Sequence, residues 1–246
     1  MRAYADSHTG LVREENQDVF RLLELHDGIL AAVLDGMGGV AGGKLAAELA
    51  AAEFVTQFSL RCAELVASGA PTDTDIHRLY SHAVYSANAK VLEAAVLNPT
   101  FKGMGTTLCA AYLLGEVAYI AHIGDSRAYL LRGGEAKPLT QDDSVVAELV
   151  ARGELTREEA RTRSERHYLT RALGVAPYAD FHFTTERLQT GDRLLLVTDG
   201  FYDAFSDEEI AALCVGVSAK ELPARCIEEA CARGGRDNVT VAVVEM

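Results

Sequence analysis

Aspartates stand at the ends of several predicted β-strands, and each lies beside a glycine or an asparagine. They are Asp35, Asp125, Asp199 and Asp237. The end of a strand holds its side chain at the rim of a rigid scaffold, and an adjacent glycine lets backbone carbonyls approach a ligand. The pattern therefore predicts carboxylates that meet at one rim, where they could bind metal ions.

A single Asp-Gly pair is usually a turn, so the metal hypothesis depends on these aspartates acting together. Like charges about 4 Å apart repel each other by about 4 kcal/mol at an intermediate dielectric, unless divalent cations neutralise them. The set offers oxygen ligands without clustered histidine or cysteine, which favours hard ions. The sequence thus predicts magnesium or manganese rather than zinc or copper.

Residues 13–18 add an arginine, Arg13, and a further carboxylate, Asp18, on what is expected to be an extended stretch before the first hairpin. The planar guanidinium of an arginine fits a phosphate through two parallel hydrogen bonds. A phosphate-binding arginine is therefore one interpretation of this segment, and a solvated charged turn is the other.

The composition limits the classes of partner. The chain has 246 residues, 49% of them hydrophobic and 24% charged, so it can form a full core. Its formal net charge of −13 argues against a nucleic-acid partner. Its apolar runs are far shorter than the roughly 18 residues of a membrane span, so no membrane insertion is expected. The cytoplasm is the expected location, because no signal-peptide pattern follows Met1 and the five cysteines form no Cys-x-x-Cys pair.

Strands and helices are predicted in blocks rather than in alternation. The predicted strands are residues 19–25, 29–34, 106–114, 117–123, 128–131, 181–184, 194–197 and 239–244. The predicted helices are residues 44–66, 73–97, 144–152, 156–163, 207–214 and 219–231. A turn at residues 26–28 joins the first two strands, and the short connections between 106 and 131 predict antiparallel neighbours. The blocks indicate antiparallel sheets covered by helices, in a single domain over residues 1–246.

Ordered motifs built around the aspartates extend over almost the whole chain. They are Arg13-x-x-Asn16-Gln17-Asp18, Asp35-Gly36-Met37-Gly38-Gly39, Gly103-Met104-Gly105-Thr106-Thr107, Gly124-Asp125-Ser126-Arg127, Leu169-Thr170-Arg171-Ala172-Leu173-Gly174, Thr198-Asp199-Gly200 and Asp237-Asn238-Val239-Thr240. In this order they resemble the metal-dependent Ser/Thr protein phosphatases of type 2C, in their bacterial single-domain form. The resemblance implies an α+β fold, a four-layer α-β-β-α sandwich of two stacked antiparallel sheets flanked by helices.

The resemblance also implies an activity. This is the hydrolysis of phosphoserine and phosphothreonine in proteins by a water that a two-metal centre activates, in opposition to a cognate Ser/Thr protein kinase. Arg13 and Asp35 would be catalytic, Arg13 by holding the phosphate and Asp35 by bridging two Mn²⁺ or Mg²⁺ ions. The implied metal ligands are Asp18, Asp35, the Gly36 carbonyl, Asp125, Asp199 and Asp237. Asp18 would act mainly through metal-bound water, and Asp125 would hold a third, weaker ion together with Asp199.

Two positions depart from the family pattern. Met37 stands where many members carry a histidine proposed as general acid, and Gln17 stands where a carboxylate is common. A leaving serine or threonine oxygen would then take its proton from water or from another group. The missing charge beside Asp18 could weaken one metal ion.

Arginines cluster between residues 161 and 171, where Arg161, Arg163, Arg166 and Arg171 stand against a single acid, Glu165. A basic flap beside the metal site would attract anionic phosphoproteins, with Arg163 and Arg166 as the candidate contacts. A solvated helix face is the other interpretation. For the whole chain, the alternative function is a metal-binding regulatory module that binds phosphoproteins with little turnover.

Overall fold

Two antiparallel β-sheets lie face to face at the centre of the molecule, with helices on their outer faces. The computed structural model describes residues 1–25 and 28–246. One sheet has the spatial order β1 (Arg2–His8), β11 (Val239–Glu245), β10 (Arg193–Val197), β7 (Arg127–Arg132) and β8 (Glu135–Pro138). The other has the order β2 (Asp18–Leu25), β3 (Gly28–Met37), β5 (Leu108–Leu114), β6 (Val117–Ile123) and β9 (His182–Arg187), with β4 (Gly105–Thr106) paired to β3. The predicted four-layer sandwich is confirmed.

The central strand β3 is apolar over residues 29–34, and both of its faces are covered. Ile29, Ala31 and Val33 belong to the buried layer between the two sheets. Their neighbours at 30, 32 and 34 belong to the layer beneath the helices. Successive side chains of a strand point to opposite faces, so a strand covered on both faces is apolar throughout.

Two long helices, α1 (Gly39–Ser68) and α2 (Asp73–Leu97), cover the sheet that contains β3. Helix α2 has its predicted bounds and begins at a capping box between Thr72 and Asp75. Helix α1 begins at Gly39, earlier than the predicted residue 44. Its first turn contains glycines, and a side chain at Gly43 would collide with the backbone of Gly36. A helical face made of glycine carries no hydrophobic periodicity, so the pattern could not reveal it.

The helices α5 (Asp199–Tyr202), α6 (Asp207–Cys214) and α7 (Leu222–Ala232) cover the other sheet. Their side chains at Phe201, Ile210 and Leu222 pack with the outward face of β10 and β11. Helix α6 has its predicted bounds. The four-residue helix α5 is too short to produce a periodic pattern, and the sequence analysis assigned its first residue, Asp199, to the end of a strand.

One predicted pairing is wrong. Strand β5 pairs with β6 as expected, but β6 and β7 lie in different sheets. The short connection crosses between the sheets at Gly124, whose φ of +102° lies in the region that favours glycine. The side chain of Thr107 lies where a Cβ on Gly124 would be. The crossover leaves Asp125 at the end of both sheets.

The edge strands β1 and β8 are absent from the sequence analysis. Strand β1 pairs with β11, and only small side chains, Ala3 and Ala5, reach the layer between the sheets. Alanine favours strands weakly, so the alternation carries little signal. The predicted turn at His26 and Asp27 lies outside the described residues. Within the described residues, no helix combines the length and the apolar character needed to cross a membrane.

A segment between β8 and β9, which we call the flap (residues 144–173), lies beside the sheet ends. It contains α3 (Val145–Ala151) and α4 (Arg157–Thr162), close to the predicted helices, and then a 3₁₀ turn at Ser164–His167. Isolated bridges between Ser144 and Leu169 and between Thr106 and Leu173 hold its base. The flap is therefore anchored next to β4 and to the crossover at Asp125.

Candidate metal centre

A cavity of about 650 Å³ opens at the end of the sandwich where β3, β6 and β10 finish and β2 and β11 begin. Its lining includes the sequence-predicted residues Arg13, Asp35, Gly36, Asp125, Asp199 and Asp237. Asp18 lies buried behind this lining, with 7% of its surface exposed. The fold thus brings together residues from both ends and the middle of the chain.

The two carboxylates of the first hairpin face each other across the sheet. Asp18 is the first residue of β2 and pairs with Asp35 of β3, so it lies inside the hairpin rather than before it. Strand β3 continues past Asp35 because Gly36 and Met37 pair with β4. The antiparallel register places both carboxylates at the same end of the sheet.

Thr198 links Asp18 to the opposite sheet. Its hydroxyl donates to Asp18 Oδ2 over 2.8 Å and accepts from the backbone N–H of Thr240 over 3.0 Å. Thr198 is fully buried between the last residue of β10 and the first residue of α5. It therefore fixes Asp18 and the adjacent Asp199 relative to each other. The sequence analysis gave Thr198 no functional role, because its partner lies far away in the chain.

Gly36 has a position that only glycine can occupy. A Cβ on it would collide with the backbone carbonyls of Gly43 and Gln17. The start of α1 and the segment before β2 therefore lie directly against the backbone of β3. Because of this close packing, position 36 in the cavity lining has room for a backbone but not for a side chain.

The electrostatics of the carboxylates require a compensating charge. Burial, with a smaller contribution from the charge of the neighbouring Asp199, raises the pKa of Asp18 from 3.8 to about 7. Desolvation and the charges of the other aspartates also raise the pKa values of Asp35 and Asp125 well above the ordinary range. Fully ionised carboxylates at this density are stable only with bound cations.

Two carboxylate oxygens provide a test of whether metal ions fit. Asp18 Oδ1 and Asp199 Oδ1 are buried and have no hydrogen-bond partner among the described residues. Buried acceptors without a partner cost free energy, and a cation would satisfy them. The donor set consists of carboxylate and carbonyl oxygens, which suits Mg²⁺ or Mn²⁺. The residues present therefore fit hard divalent ions.

Arg13 contacts one of the predicted metal ligands. Its Nε and Nη2 donate to Asp237 Oδ1 and Oδ2 over 2.9 and 2.7 Å. Asn238, which follows Asp237, donates to the backbone carbonyls of Thr9 and Glu15 and accepts from the N–H of Gln17. Asn238 thereby fixes the loop that carries Arg13. The Asp-Asn pair is visible in the sequence, but this bridging role depends on partners at Thr9, Glu15 and Gln17 that lie far away in the chain.

A histidine that the sequence analysis did not select also reaches the cavity. His167, at the end of the 3₁₀ turn of the flap, places Nδ1 3.5 Å from Asp199 Oδ2. With Asp203 it forms a group whose potential ligand atoms lie within 4.8 Å of one another. The hydrogen bond to Asp199 raises the pKa of His167. The 3₁₀ turn that contains Arg166 and His167 is too short to give a periodic pattern, so only the tertiary structure reveals this contact.

The flap arginines differ in their surroundings. Arg163 is exposed at the end of α4. Arg166 faces Asp203, with Nη2 and Oδ2 3.5 Å apart, and its Nε donates to His167 Nε2 over 2.8 Å. Arg171 contacts the buried carboxylate of Asp143 over 3.1 Å. Part of the positive charge counted in the sequence is therefore compensated by nearby acids.

Two further side chains, those of Met37 and His122, lie in different environments. Met37 lines the cavity and offers it no titratable group. His122 is buried, its Nε2 lies 2.7 Å from the carbonyl of Gln141, and its ring stacks on His182. Desolvation lowers the pKa of His122. It has the environment of a hydrogen-bonded core histidine.

Comparison with known proteins agrees with this geometry. Residues 8–225 match the family model described as "Protein phosphatase 2C". The chain belongs to the protein phosphatase 2C family. Its sequence is 36% identical over 252 residues to the serine/threonine protein phosphatase PstP of Mycobacterium tuberculosis. That match covers all of this chain, which spans 45% of the length of PstP.

Two further relatives cover the chain almost completely. A putative protein phosphatase 2C-type protein of Streptococcus pyogenes is 32% identical over 246 residues, covering 99% of this chain and 97% of the relative. The crystal structure of the PstP catalytic domain in complex with two manganese ions has a TM-score of 0.84 and 36% identity, with 98% and 96% of the two chains covered. The structural match to a protein phosphatase 2C catalytic domain thus covers 98% of this chain.

Proposed function

We propose that this protein is a metal-dependent phosphatase that hydrolyses phosphoserine and phosphothreonine in proteins. The observation that carries the proposal is the pair of buried, unpartnered oxygens on Asp199, which lines the cavity, and on Asp18, which lies behind that lining; the lining also includes Asp35 and Arg13. A cation site and a guanidinium in one cavity together supply water activation and neutralisation of the phosphoryl oxygens, which metal-assisted hydrolysis of a phosphate ester uses.

In this proposal each residue of the centre has one role. Asp35, the Gly36 carbonyl, Asp199 and Asp237 hold two divalent ions, either Mn²⁺ or Mg²⁺. When bound, such ions lower the pKa of a coordinated water and neutralise phosphoryl oxygens. Asp18 supports the centre from behind and is oriented by the hydroxyl of Thr198. Asp125, together with Asp199, supplies a third and weaker site.

Arg13 binds the substrate phosphate in this proposal. Its side chain is 57% exposed, so it can turn from Asp237 towards a phosphate without disturbing the core. The guanidinium then forms two parallel charge-assisted hydrogen bonds to the phosphoryl group and compensates charge in the transition state. Arg163, exposed on the flap, is proposed to attract anionic phosphoproteins.

The wider biology is part of the same proposal. The substrates are phosphorylated proteins, the opposing enzyme is a cognate Ser/Thr protein kinase, and the place of action is the cytoplasm of a bacterium. Residues 1–246 act as a single catalytic domain. The relatives' printed names support a phosphoprotein substrate, since PstP of M. tuberculosis is named a serine/threonine protein phosphatase.

The experiment that tests the activity is hydrolysis of para-nitrophenyl phosphate and of a phosphothreonine peptide in Mn²⁺, with and without a chelator. We expect turnover with both substrates, its abolition by chelator, and a loss of roughly 100-fold or more in Asp35→Asn. The exposed Asp180 provides the matched control, and Asp180→Asn should retain wild-type turnover. Phosphopeptide binding with negligible turnover in the wild type would instead support the regulatory module.

A further inference from the structure

A second cavity of about 650 Å³ adjoins the metal-centre cavity on the flap side. The two cavities share the wall residues Asp125, His167 and Asp199. A volume of this size is within the roughly 300–1,000 Å³ that is typical of ligand sites. A substrate peptide that extends from the metal centre past these side chains therefore enters the second cavity, which we call the flap groove.

One side of the flap groove is apolar and belongs to the flap. Its lining there consists of Val146, Ala147, Val150 and Ala151 of α3 and Ala160 of α4. These side chains are small, so the groove has room above them. An apolar surface of this kind gains free energy when an apolar side chain covers it.

Another part of the lining of the flap groove is a preorganised polar wall. Arg127 of β7 donates to both carboxylate oxygens of Asp142 over 2.8 and 2.7 Å. Its guanidinium also lies 3.6 Å from the centre of the Tyr202 ring. The ion pair and the ring hold Arg127 in place and neutralise Asp142, so this wall offers shape rather than net charge.

One acid in the flap groove remains uncompensated. Asp203 faces Arg166, with 3.5 Å between Nη2 and Oδ2. Asp207, half-buried in the first turn of α6, forms neither an ion pair nor a side-chain hydrogen bond within the described residues. Apart from the carboxylates of the metal centre, Asp207 therefore gives the groove its negative charge.

We propose that the flap groove binds the part of a substrate protein next to its phosphorylated residue, and that it selects an apolar side chain against α3 and a lysine or arginine beside Asp207. The inference rests on the proposed function, because it assigns the metal-centre cavity to the phosphate. Continuity between the two cavities gives the path of the peptide, and the charge of Asp207 gives its preference. Within the groove, basic neighbours of the phosphorylated residue are favoured over acidic ones, whereas Arg163, which is not among the residues that line the groove, acts on the overall charge of the substrate.

The test compares phosphoserine peptides that have arginine and leucine residues around the phosphoserine with peptides in which glutamate replaces arginine or serine replaces leucine. For each enzyme the measured quantity is the ratio of kcat/KM values between two peptides, which removes differences in the amount of active enzyme. We expect the wild type to prefer the arginine peptide by roughly fivefold or more. Asp207→Lys should bring the ratio of kcat/KM values to one or below. Asp207→Asn should give a ratio between those of the wild type and Asp207→Lys.

The asparagine variant is needed because an acid in the first turn also stabilises α6, and lysine there would weaken the helix. Thermal unfolding of each variant shows whether it is folded. The matched control is Glu64→Lys, the same change of charge on the exposed surface of α1, which should keep the wild-type ratio. For the apolar side, Val150→Asp should remove the preference for leucine over serine.

The results separate this inference from the proposed function. An arginine-to-glutamate ratio near one in the wild type, or an unchanged ratio in both Asp207 variants, would overturn the inference while hydrolysis of para-nitrophenyl phosphate upheld the phosphatase. If no substrate were hydrolysed, the proposed function would fail. Fluorescence anisotropy of the same peptides would then test the groove by binding alone, with the same expected order and the same contradicting result.

Discussion

Arg13 and Asp237 form a bidentate ion pair in the metal-centre cavity, with donor–acceptor distances of 2.9 and 2.7 Å. The sequence resemblance assigns these two residues to different partners, Arg13 to the phosphate and Asp237 to a metal ion. Both oxygens of Asp237 accept from the guanidinium, so the arginine and a cation compete for the same carboxylate. Metal binding is therefore expected to release Arg13 for the substrate.

Removal of the Arg13 side chain should raise the affinity for Mn²⁺ and lower the kcat/KM for a phosphopeptide. In Arg13→Ala, Mn²⁺ should bind about threefold more tightly, because a competing cation is gone. The kcat/KM for a phosphopeptide should fall about 10- to 100-fold, because charge-assisted hydrogen bonds to the phosphate are lost. Calorimetric Mn²⁺ titration and steady-state kinetics measure the two effects. Arg13→Lys keeps the positive charge but not the planar guanidinium, so both of its values should lie between those of the wild type and Arg13→Ala. Weaker Mn²⁺ binding in Arg13→Ala than in the wild type would show that Arg13 and the cation do not compete for Asp237.

The hydroxyl of Thr198 should contribute both to the free energy of unfolding and to the affinity for Mn²⁺. Thr198→Val keeps the shape but removes the hydroxyl shared by Asp18 and the N–H of Thr240. We expect the free energy of unfolding to fall by about 1–3 kcal/mol. Mn²⁺ affinity should fall about tenfold, since supporting residues commonly have effects of this size.

Thr198→Ser is the control for this change, because it restores the hydroxyl and should recover most of the Mn²⁺ affinity. Chemical denaturation and Mn²⁺ titration are the measurements. Equal Mn²⁺ affinity in the valine variant and the wild type would show that Asp18 does not depend on Thr198.

The stability of the chelator-treated protein should depend on pH with a defined sign. Burial raises the pKa of Asp18 from 3.8 to about 7, so the folded protein holds a proton that the unfolded chain releases. Between about pH 4 and 7 the folded state binds more protons, and the free energy of unfolding therefore falls as the pH rises. The raised pKa values of Asp35, Asp125 and His167 act in the same direction.

Thermal unfolding in chelator should thus give a melting temperature at pH 5.5 that is at least about 5 °C higher than at pH 7.5. Saturating Mn²⁺ should remove or reverse this difference, because a cation favours the ionised carboxylates. A melting temperature in chelator that rises over the same pH interval would contradict the assigned burial of the carboxylates.

The sequence revealed the parts of this protein whose signals are local. Helix α2 is amphipathic and begins at a capping box, and β3 is apolar because both of its faces are covered, so both were predictable. The aspartates were predictable because each adjoins a glycine or an asparagine at the end of a predicted strand. The motif order then linked them to one family.

Other parts depend on contacts between distant residues. The crossover at Gly124 moves the chain into the second sheet, and a short connection of this kind has the same local pattern as a hairpin within one sheet. The hydrogen bond from Thr198 to Asp18 joins opposite ends of the chain. His167 reaches Asp199 because the flap folds back through bridges at its base. None of these contacts has a periodic signature.

The most direct test of the account is a calorimetric titration of the metal-free protein with Mn²⁺, carried out on the wild type, Asp35→Asn and Asp180→Asn. The account predicts that the wild type and Asp180→Asn bind at least two ions with the same affinities, whereas Asp35→Asn binds fewer ions or binds them at least about tenfold more weakly. Identical titrations for Asp35→Asn and the wild type would show that these carboxylates do not form a metal centre.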